Sequence, residues 1–274
     1  MEDKKKELET GLLLEAIFQC YGHDFRNYSR ASMDRRIRNF LIKSGCETIS
    51  EIIPKVIHNQ PFFELFLKEC SITVTEMFRD PFFYKSIRHR VVPLLKTYPY
   101  LKIWNAGCAT GEEAYSLAIL LMEEELYSRS TMFATDFNDS ALEQAKQGIY
   151  ALDNIKQFTE NYQKSGGTRS FSEYYHAKYE SGVIKQSLGS RITFANHNLA
   201  TDSVFGEQHL ILCRNVLIYF NKELKNRVLN IFDESLVHNG FLCLGSKESL
   251  MFTDFYENYK VIDKEWKIYQ KIAY

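Results

Sequence analysis

Hydrophobic and polar positions divide the chain into two regions with different periodicities. From residue 7 to about residue 70, apolar side chains recur at helical intervals between short polar breaks, and no segment alternates as a strand would. In the second predicted helix, Met33, Ile37, Phe40 and Leu41 share one apolar stripe, which leaves other positions for solvent. This region therefore predicts a small domain made only of helices.

The rest of the chain alternates short apolar runs with amphipathic segments, the pattern of a mostly parallel sheet covered by helices. Asp80 and Pro81 carry the start signals of a helix that joins the two regions. From Tyr259 onwards, two runs with a short break predict an antiparallel hairpin at the sheet edge. Strands are predicted at 101–106, 131–136, 191–196, 209–214 and 240–246, and helices at 111–127, 139–148 and 221–238.

These patterns predict a helical N-terminal domain at residues 1–75, a linker helix at 76–98 and an α/β domain at 99–274. Residues 151–190 interrupt the alternation with a polar, tyrosine-rich stretch. We therefore expect an insertion there that contains a small β-hairpin.

Composition narrows the function classes. The 274 residues carry 34 Lys and Arg against 35 Asp and Glu, so no overall field favours nucleic acid or an anionic membrane as a partner. The apolar runs are too short to span a bilayer and the N-terminus lacks an apolar signal core, so we expect a cytoplasmic protein without membrane insertion. The cysteines show no CxxC and the histidines no HExxH, so no metal site is expected.

The segment NAGCATGEEAYSLAILL joins the first predicted strand to the following helix. Gly107 and Gly111 predict a tight turn that lets backbone approach a ligand, but the spacing is neither GxGxxG nor a P-loop. Glu112 and Glu113 follow at the helix start, where they would repel a pyrophosphate and favour an ammonium or sulfonium cation. The alternative is that both glutamates only complement the helix dipole.

A second acidic position, Asp136, ends the second predicted strand 25 residues after Gly111. Folds of this class bind ribose hydroxyls at about this place. A ligand with ribose hydroxyls, an amine and a cation but no phosphate is S-adenosylmethionine. The two acidic features together favour it as the cofactor.

Five segments, VTEMFRDPFF, IWNAGCATGEEAYSLA, FATDFNDSALEQAKQGIY, ITFANHNL and LILCRNVLIYFN, resemble CheR-type chemotaxis protein methyltransferases in order and spacing. The resemblance is strongest from Thr73 to Phe220. It implies an all-α domain followed by a Rossmann-like class I methyltransferase domain, whose seven-stranded sheet carries a small β insertion. It also implies methylation of glutamate side chains on the cytoplasmic helices of chemoreceptors, with S-adenosylhomocysteine as the second product.

The resemblance also assigns the cofactor contacts. They fall on Thr73, Thr75, Arg79, Gly107, Glu113, Asp136, Asn198, Leu199, Asn215 and Val216. Thr73 departs from the family pattern, which usually has asparagine there, and a hydroxyl offers one donor fewer than an amide. For Asn198 and Asn215, a role as loop residues after strands is the alternative.

Arg79 and Tyr219 are candidates for orienting the reacting groups. The planar fork of Arg79 suits a carboxylate of either the cofactor or the substrate, and the alternative is a salt bridge within FRD. Tyr219 is expected to donate one hydrogen bond to the attacking carboxylate, and the alternative is a half-buried core aromatic.

A run of arginines marks the second predicted helix and the residues before it. Most charge runs are solvated helix faces, but the resemblance implies that this basic helix docks acidic receptor helices. Arg26 belongs to the run, and the candidates for docking are Arg30, Arg35, Arg36 and Arg38.

Two other functions stay open at this point: a methyltransferase acting on a nucleic acid or small molecule, and a catalytically silent cofactor-binding adaptor. The stretch RNVLIYF lacks the paired prolines common in methyltransferases of nucleic-acid bases. We expect a monomer.

Overall fold

The computed structural model describes residues 2–71 and 75–272. Contacts divide these residues into two compact units. The first contains residues 2–71 and 219–228, and the second contains residues 75–218 and 229–272.

The first unit is helical. Thr48 accepts a hydrogen bond from the Glu51 N–H at the start of the third helix, and Asn59 accepts one from the Phe62 N–H at the start of the fourth. Both side chains satisfy backbone donors that a helix start leaves free. The all-helical prediction for this region is confirmed. Its helices are α1 (Glu2–Tyr21), α2 (Arg30–Ser44), α3 (Ile49–His58) and α4 (Gln60–Cys70).

The second unit begins with α5 (Pro81–Ser86), which continues through a π-helical turn (Ile87–Val91) into α6 (Val92–Leu95). Pro81 occupies the first helical position, as predicted. Asp80 precedes it with φ of 57°, and its side chain makes no capping hydrogen bond. Asp80 is the N-cap residue, as predicted, but its carboxylate is bound to Arg214 instead of to the N–H groups of the helix. The predicted linker limits, 76–98, and the limits of the domains beside it stay predictions.

A seven-stranded sheet forms the centre of the second unit, in the order β6-β2-β1-β7-β8-β10-β9. Strand β10 is antiparallel to both of its neighbours, whereas β6, β2, β1, β7 and β8 run parallel, so the predicted sheet with a C-terminal hairpin is confirmed. The strands are β1 (Leu101–Ala106), β2 (Ser130–Asp136), β3 (Ile149–Ala151), β4 (Tyr175–Lys178), β5 (Ser181–Ile184), β6 (Ile192–Asn196), β7 (Gln208–Cys213), β8 (Leu236–Leu244), β9 (Tyr259–Asp263) and β10 (Ile268–Lys271).

Five α-helices of the described ranges lie between strands along the chain. They are α7 (Glu112–Glu123), α8 (Asp139–Gln147), α9 (Leu152–Lys164), α10 (Gln186–Gly189) and α11 (Lys222–Ser235). Every side chain of α7 from Ala114 to Leu121 is buried, which makes α7 a core helix. In the described ranges, no helix, α7 included, combines the length and the apolar character needed to cross a membrane.

The insertion is larger than the predicted hairpin. Strands β3, β5 and β4 form a separate antiparallel sheet, and helix α9, between β3 and β4, was not predicted. Helix α9 buries Ile155, Phe158 and Tyr162, which are spaced for one helical face. The hydroxyls of Tyr162 and Tyr174 donate to Glu123 of α7 and so anchor the insertion on the core helix.

Candidate active site

The loop between β1 and α7 is shaped by two glycines in the left-handed region, Gly107 with φ of 77° and Gly111 with φ of 91°. A Cβ atom at Gly107 would lie 2.5 Å from Cγ2 of Val216, and one at Gly111 would lie 2.9 Å from Cβ of Ala145. Backbone conformation and lack of space therefore both require glycine. The predicted tight turn is confirmed, whereas the approach of its backbone to a ligand stays a prediction.

Asp136 lies beside this loop at the end of β2. Its Oδ2 accepts a hydrogen bond from the Ala109 N–H at 2.9 Å, and its Oδ1 accepts one from the Asn138 N–H at 3.0 Å. Burial raises the pKa of Asp136, although the backbone donors oppose the shift. Each oxygen of a carboxylate accepts more than one hydrogen bond, so Asp136 retains capacity for ligand hydroxyls.

Glu113 belongs to a polar network at the start of α7. Its Oε1 accepts a hydrogen bond from Nδ2 of Asn105 at 2.8 Å, and its Oε2 pairs with Nη1 of Arg214 at 2.7 Å. The Oδ1 atom of Asn105 is buried and accepts no hydrogen bond from any residue in the described ranges. The Glu113 carboxylate and the unpaired Oδ1 of Asn105 are thus two neighbouring acceptors next to the glycine loop.

Glu112 points away from this network. Its side chain is buried and accepts a hydrogen bond from the Thr110 hydroxyl at 2.7 Å. Burial raises the pKa of Glu112 to about 7. The two glutamates therefore do not act together on a cation, as expected from the sequence, because Glu112 is buried and Glu113 is paired with Arg214.

Arg214 is a site residue that sequence reasoning missed. Its side chain is 1% exposed and also pairs with the Asp80 carboxylate at 2.6 Å, while the guanidinium lies 4.0 Å from the centre of the Phe83 ring. Burial lowers its pKa, but Glu113, Tyr84 and Asp80 raise it, and the net shift is upward. Arg214 thus joins the end of β7 to the starts of α5 and α7. The available signal was an arginine directly after the buried run LILC.

The residue Arg79 precedes this network in the chain. Its carbonyl oxygen accepts hydrogen bonds from the Arg214 guanidinium at 3.3 and 3.4 Å. Because Asp80 pairs with Arg214, the FRD segment does not use that carboxylate for the salt bridge considered from the sequence. Thr75 and Arg79 are half-buried, and Thr73 lies outside the described residues.

The remaining cofactor candidates follow β6 and β7. Asn198 accepts a hydrogen bond from the Ala200 N–H with its side-chain oxygen, which supports its role in a turn, and Leu199 is buried. Asn215 has φ of 61°, and backbone N–H groups of the loop that it begins donate to Glu248, a second residue that the sequence reasoning missed. Since β6, β2, β1 and β7 are neighbours, the candidates that follow them share the carboxyl edge of the sheet. These candidates are Gly107, Glu113, Asp136, Asn198, Leu199, Asn215 and Val216.

The predicted docking arginines, all in the first unit, differ in their exposure to solvent. Arg35 and Arg38 are exposed, as the apolar stripe predicts, and exposed Arg30 pairs with Glu7 at 2.7 Å. Arg36 is only 4% exposed, which contradicts its place in an exposed docking set. Its guanidinium instead lies 4.8 Å from the ring centre of half-buried Tyr219.

Comparison with known proteins gives two family matches. Residues 73–268 match the family described as CheR methyltransferase, SAM binding domain, and residues 9–70 match CheR methyltransferase, all-alpha domain. The chain is 48% identical over 269 residues to Cher3 of Pseudomonas putida, covering 98% of each chain. It is 31% identical to the chemotaxis protein methyltransferase of Listeria monocytogenes, over 84% of this chain and 86% of that one. It is 28% identical to chemotaxis protein methyltransferase 1 of Pseudomonas aeruginosa, over 78% of this chain and 80% of that one.

Proposed function

Because this chain belongs to the CheR family of S-adenosylmethionine-dependent methyltransferases, we propose that it methylates glutamate side chains on the cytoplasmic helices of chemoreceptors. The products are glutamate methyl esters and S-adenosylhomocysteine. The observation that carries the proposal is Asp136, whose carboxylate keeps acceptor capacity beside the glycine loop, at the place where this fold class binds ribose.

The residues at the carboxyl edge fit this cofactor. Asp136 is assigned to the ribose hydroxyls, while Glu113 and Oδ1 of Asn105 are acceptors that suit an ammonium group. Gly107 has no side chain and therefore lets Val216, another proposed contact, pack directly against the loop. The further proposed contacts are Thr73, Thr75, Arg79, Asn198, Leu199, Asn215 and Val216.

When bound, S-adenosylmethionine would supply a methyl group activated by its sulfonium: an O–C bond to the substrate carboxylate would form as the C–S bond breaks, and S-adenosylhomocysteine would leave as a neutral thioether. A glutamate side chain has an unperturbed pKa of about 4.3, so it is ionised at neutral pH and needs no general base. The enzyme therefore contributes orientation and a dry, low-dielectric site, because positive and negative charge disappear together in the reaction.

Arg79 and Tyr219 are assigned to orientation. The Arg79 guanidinium is a planar donor suited to a carboxylate. The Tyr219 hydroxyl is assigned to one hydrogen bond with the substrate glutamate. Arg36 lies against the Tyr219 ring and restricts it through a cation–π contact.

The exposed arginines Arg30, Arg35 and Arg38 are assigned to docking of acidic receptor helices. Such contacts act mainly on encounter and register rather than on the chemical step. The proposed substrate places the enzyme in the cytoplasm, where we expect it to act as a monomer.

The test is a methylation assay with a purified receptor cytoplasmic fragment and methyl-labelled cofactor. The proposal predicts label that mild alkali releases as methanol, and no label on a fragment whose acceptor glutamates are replaced by aspartate. Label that survives alkali would indicate another acceptor chemistry. Cofactor binding without transfer to any receptor fragment would indicate an adaptor instead.

A further inference from the structure

Glu248 lies in the loop after β8 and is 5% exposed. Its carboxylate accepts hydrogen bonds from four backbone N–H groups. Oε1 binds those of Val216 at 2.9 Å and Ile218 at 3.2 Å, and Oε2 binds those of Asn215 at 3.1 Å and Gly245 at 2.5 Å. Every donor is main chain, so the contact fixes the path of the backbone.

This arrangement joins the loops that follow two neighbouring parallel strands, β7 and β8. Asn215 has a left-handed backbone and the next residues turn into a 3-10 helix, so successive N–H groups converge on one point, as they do in anion-binding nests. The chain's own carboxylate occupies that point. Gly245 is required beside it, because a Cβ atom there would lie 2.8 Å from the Asn215 nitrogen and 2.8 Å from Oε2 of Glu248.

The held segment carries two of the proposed cofactor contacts. Val216 also packs its side chain against Gly107 of the first loop, where a Cβ atom would lie 2.5 Å from Cγ2 of Val216. Glu248 therefore contacts the loop after β7 directly, and Val216 of that loop in turn contacts the glycine loop.

We infer that Glu248 is a positioning residue for the cofactor: its side chain holds Asn215 and Val216 in the conformation that binds S-adenosylmethionine. The inference rests on the roles proposed for these two residues. Glu248 acts through the backbone of the loop and takes no part in the transfer itself.

The decisive variant is Glu248→Gln, which keeps the size of the side chain but replaces one acceptor oxygen with an NH2 donor that faces N–H groups. We expect the Kd for S-adenosylhomocysteine to rise roughly tenfold, the equivalent of losing one hydrogen bond to a charged group. Hydrogen exchange of the amides at 215–218 should accelerate, while amides of α7 keep their protection. In the methylation assay, KM for the cofactor should rise without a fall in kcat.

The matched control is Glu257→Gln, the same chemical change at an exposed position before β9. It should leave both the Kd and the exchange at 215–218 unchanged. A second variant, Gly245→Ala, displaces the carboxylate without altering its chemistry and should reproduce the effects of Glu248→Gln.

Wild-type Kd and wild-type exchange in Glu248→Gln would overturn the inference. So would a smaller folded fraction whose remaining molecules bind with unchanged Kd, because that result describes a purely structural role. Failure to methylate receptors would count against the proposed function but leave the binding and exchange results to stand on their own.

Discussion

Asp136 combines two backbone contacts with unused acceptor capacity, and the Asn138 N–H and Ala109 N–H hold its carboxylate in place. We expect Asp136→Asn to weaken binding of S-adenosylhomocysteine by about tenfold or more, because the amide loses charge and one acceptor. Titration calorimetry measures the change. Asp153→Asn, an exposed change in the first turn of α9, is the control. Equal affinities for the two variants would remove Asp136 from the site.

Glu112 makes the stability of the protein depend on pH. Burial raises its pKa to about 7 in the folded protein, whereas an exposed glutamate has an ordinary pKa of 4.5, so the unfolded state loses its proton first as pH rises. The free energy of unfolding should therefore fall between about pH 4.5 and 7. Glu112→Gln should make this fall smaller and add about 3 kcal/mol in alkaline buffer, since the amide oxygen still accepts from Thr110.

Urea unfolding at a series of pH values tests this prediction. The control is Glu160→Gln, because Glu160 is exposed on α9. Parallel pH profiles for Glu112→Gln and the wild type would show that Glu112 titrates normally.

Some site residues were predicted from the sequence and others were not, because the contacts of the second group are distant in sequence. Gly107 and Asp136 lie at the ends of predicted strands, so the local sequence pattern is enough to locate them. Arg214 meets Asp80 across 134 positions, and Glu248 meets its backbone donors across as many as 33. Their partners are set by strand order, which a local pattern does not specify.

At the scale of elements, α2 separates its arginines by face. Arg35 and Arg38 are exposed, while the apolar stripe of Met33, Ile37 and Phe40 is buried. We expect the double variant Arg35→Ala with Arg38→Ala to bind cofactor normally and to methylate receptor fragments more slowly, most clearly at low ionic strength.

The control for α2 is Lys43→Ala, which removes a positive charge from the last turn of the same helix, where Lys43 pairs with Glu69. Steady-state methylation rates and cofactor titrations distinguish docking from binding. Unchanged receptor methylation in the double arginine variant would remove the docking role.

The helical segment before β1 is fastened to α7 by a buried ion pair between Arg88 and Glu123. Arg88→Met should lower the free energy of unfolding by about 3 kcal/mol or more, because Glu123 stays buried without its cation. Adding Glu123→Gln should recover part of the loss, since the buried charge is then gone. The expected order of stability is wild type, then the double variant, then Arg88→Met. Denaturant unfolding of the three proteins checks it. A double variant less stable than Arg88→Met would contradict it.

In the insertion, the sequence pattern predicted a hairpin but not helix α9. Helix α9 has the apolar spacing of a helix at Ile155, Phe158 and Tyr162, but tyrosines and polar residues around it resemble loop or strand composition. Its burial depends on hydroxyl contacts to Glu123, which lies 39 positions from Tyr162. Tertiary contact, rather than local propensity, decides this element.

At the scale of the whole molecule, periodicity alone predicted the division into a helical region and an α/β region, and the resemblance added the seven-stranded count. The alternation of strand and helix survives in the structure with small shifts, such as β8 starting at Leu236 instead of residue 240. The order β6-β2-β1-β7 brings the cofactor candidates to one edge of the sheet. The fold class predicted a ligand beyond the carboxyl ends of the strands, but the sequence did not predict the strand order.

The central claim is that glutamate side chains of receptors accept the methyl group. Tandem mass spectrometry of a receptor cytoplasmic fragment, after incubation with the wild-type enzyme and S-adenosylmethionine, tests it most directly. We predict methyl esters located on glutamate residues, absent after mild alkaline treatment and greatly reduced with Asp136→Asn. A fragment that stays unmodified, or one that carries alkali-stable methyl groups on other residues, would contradict the account.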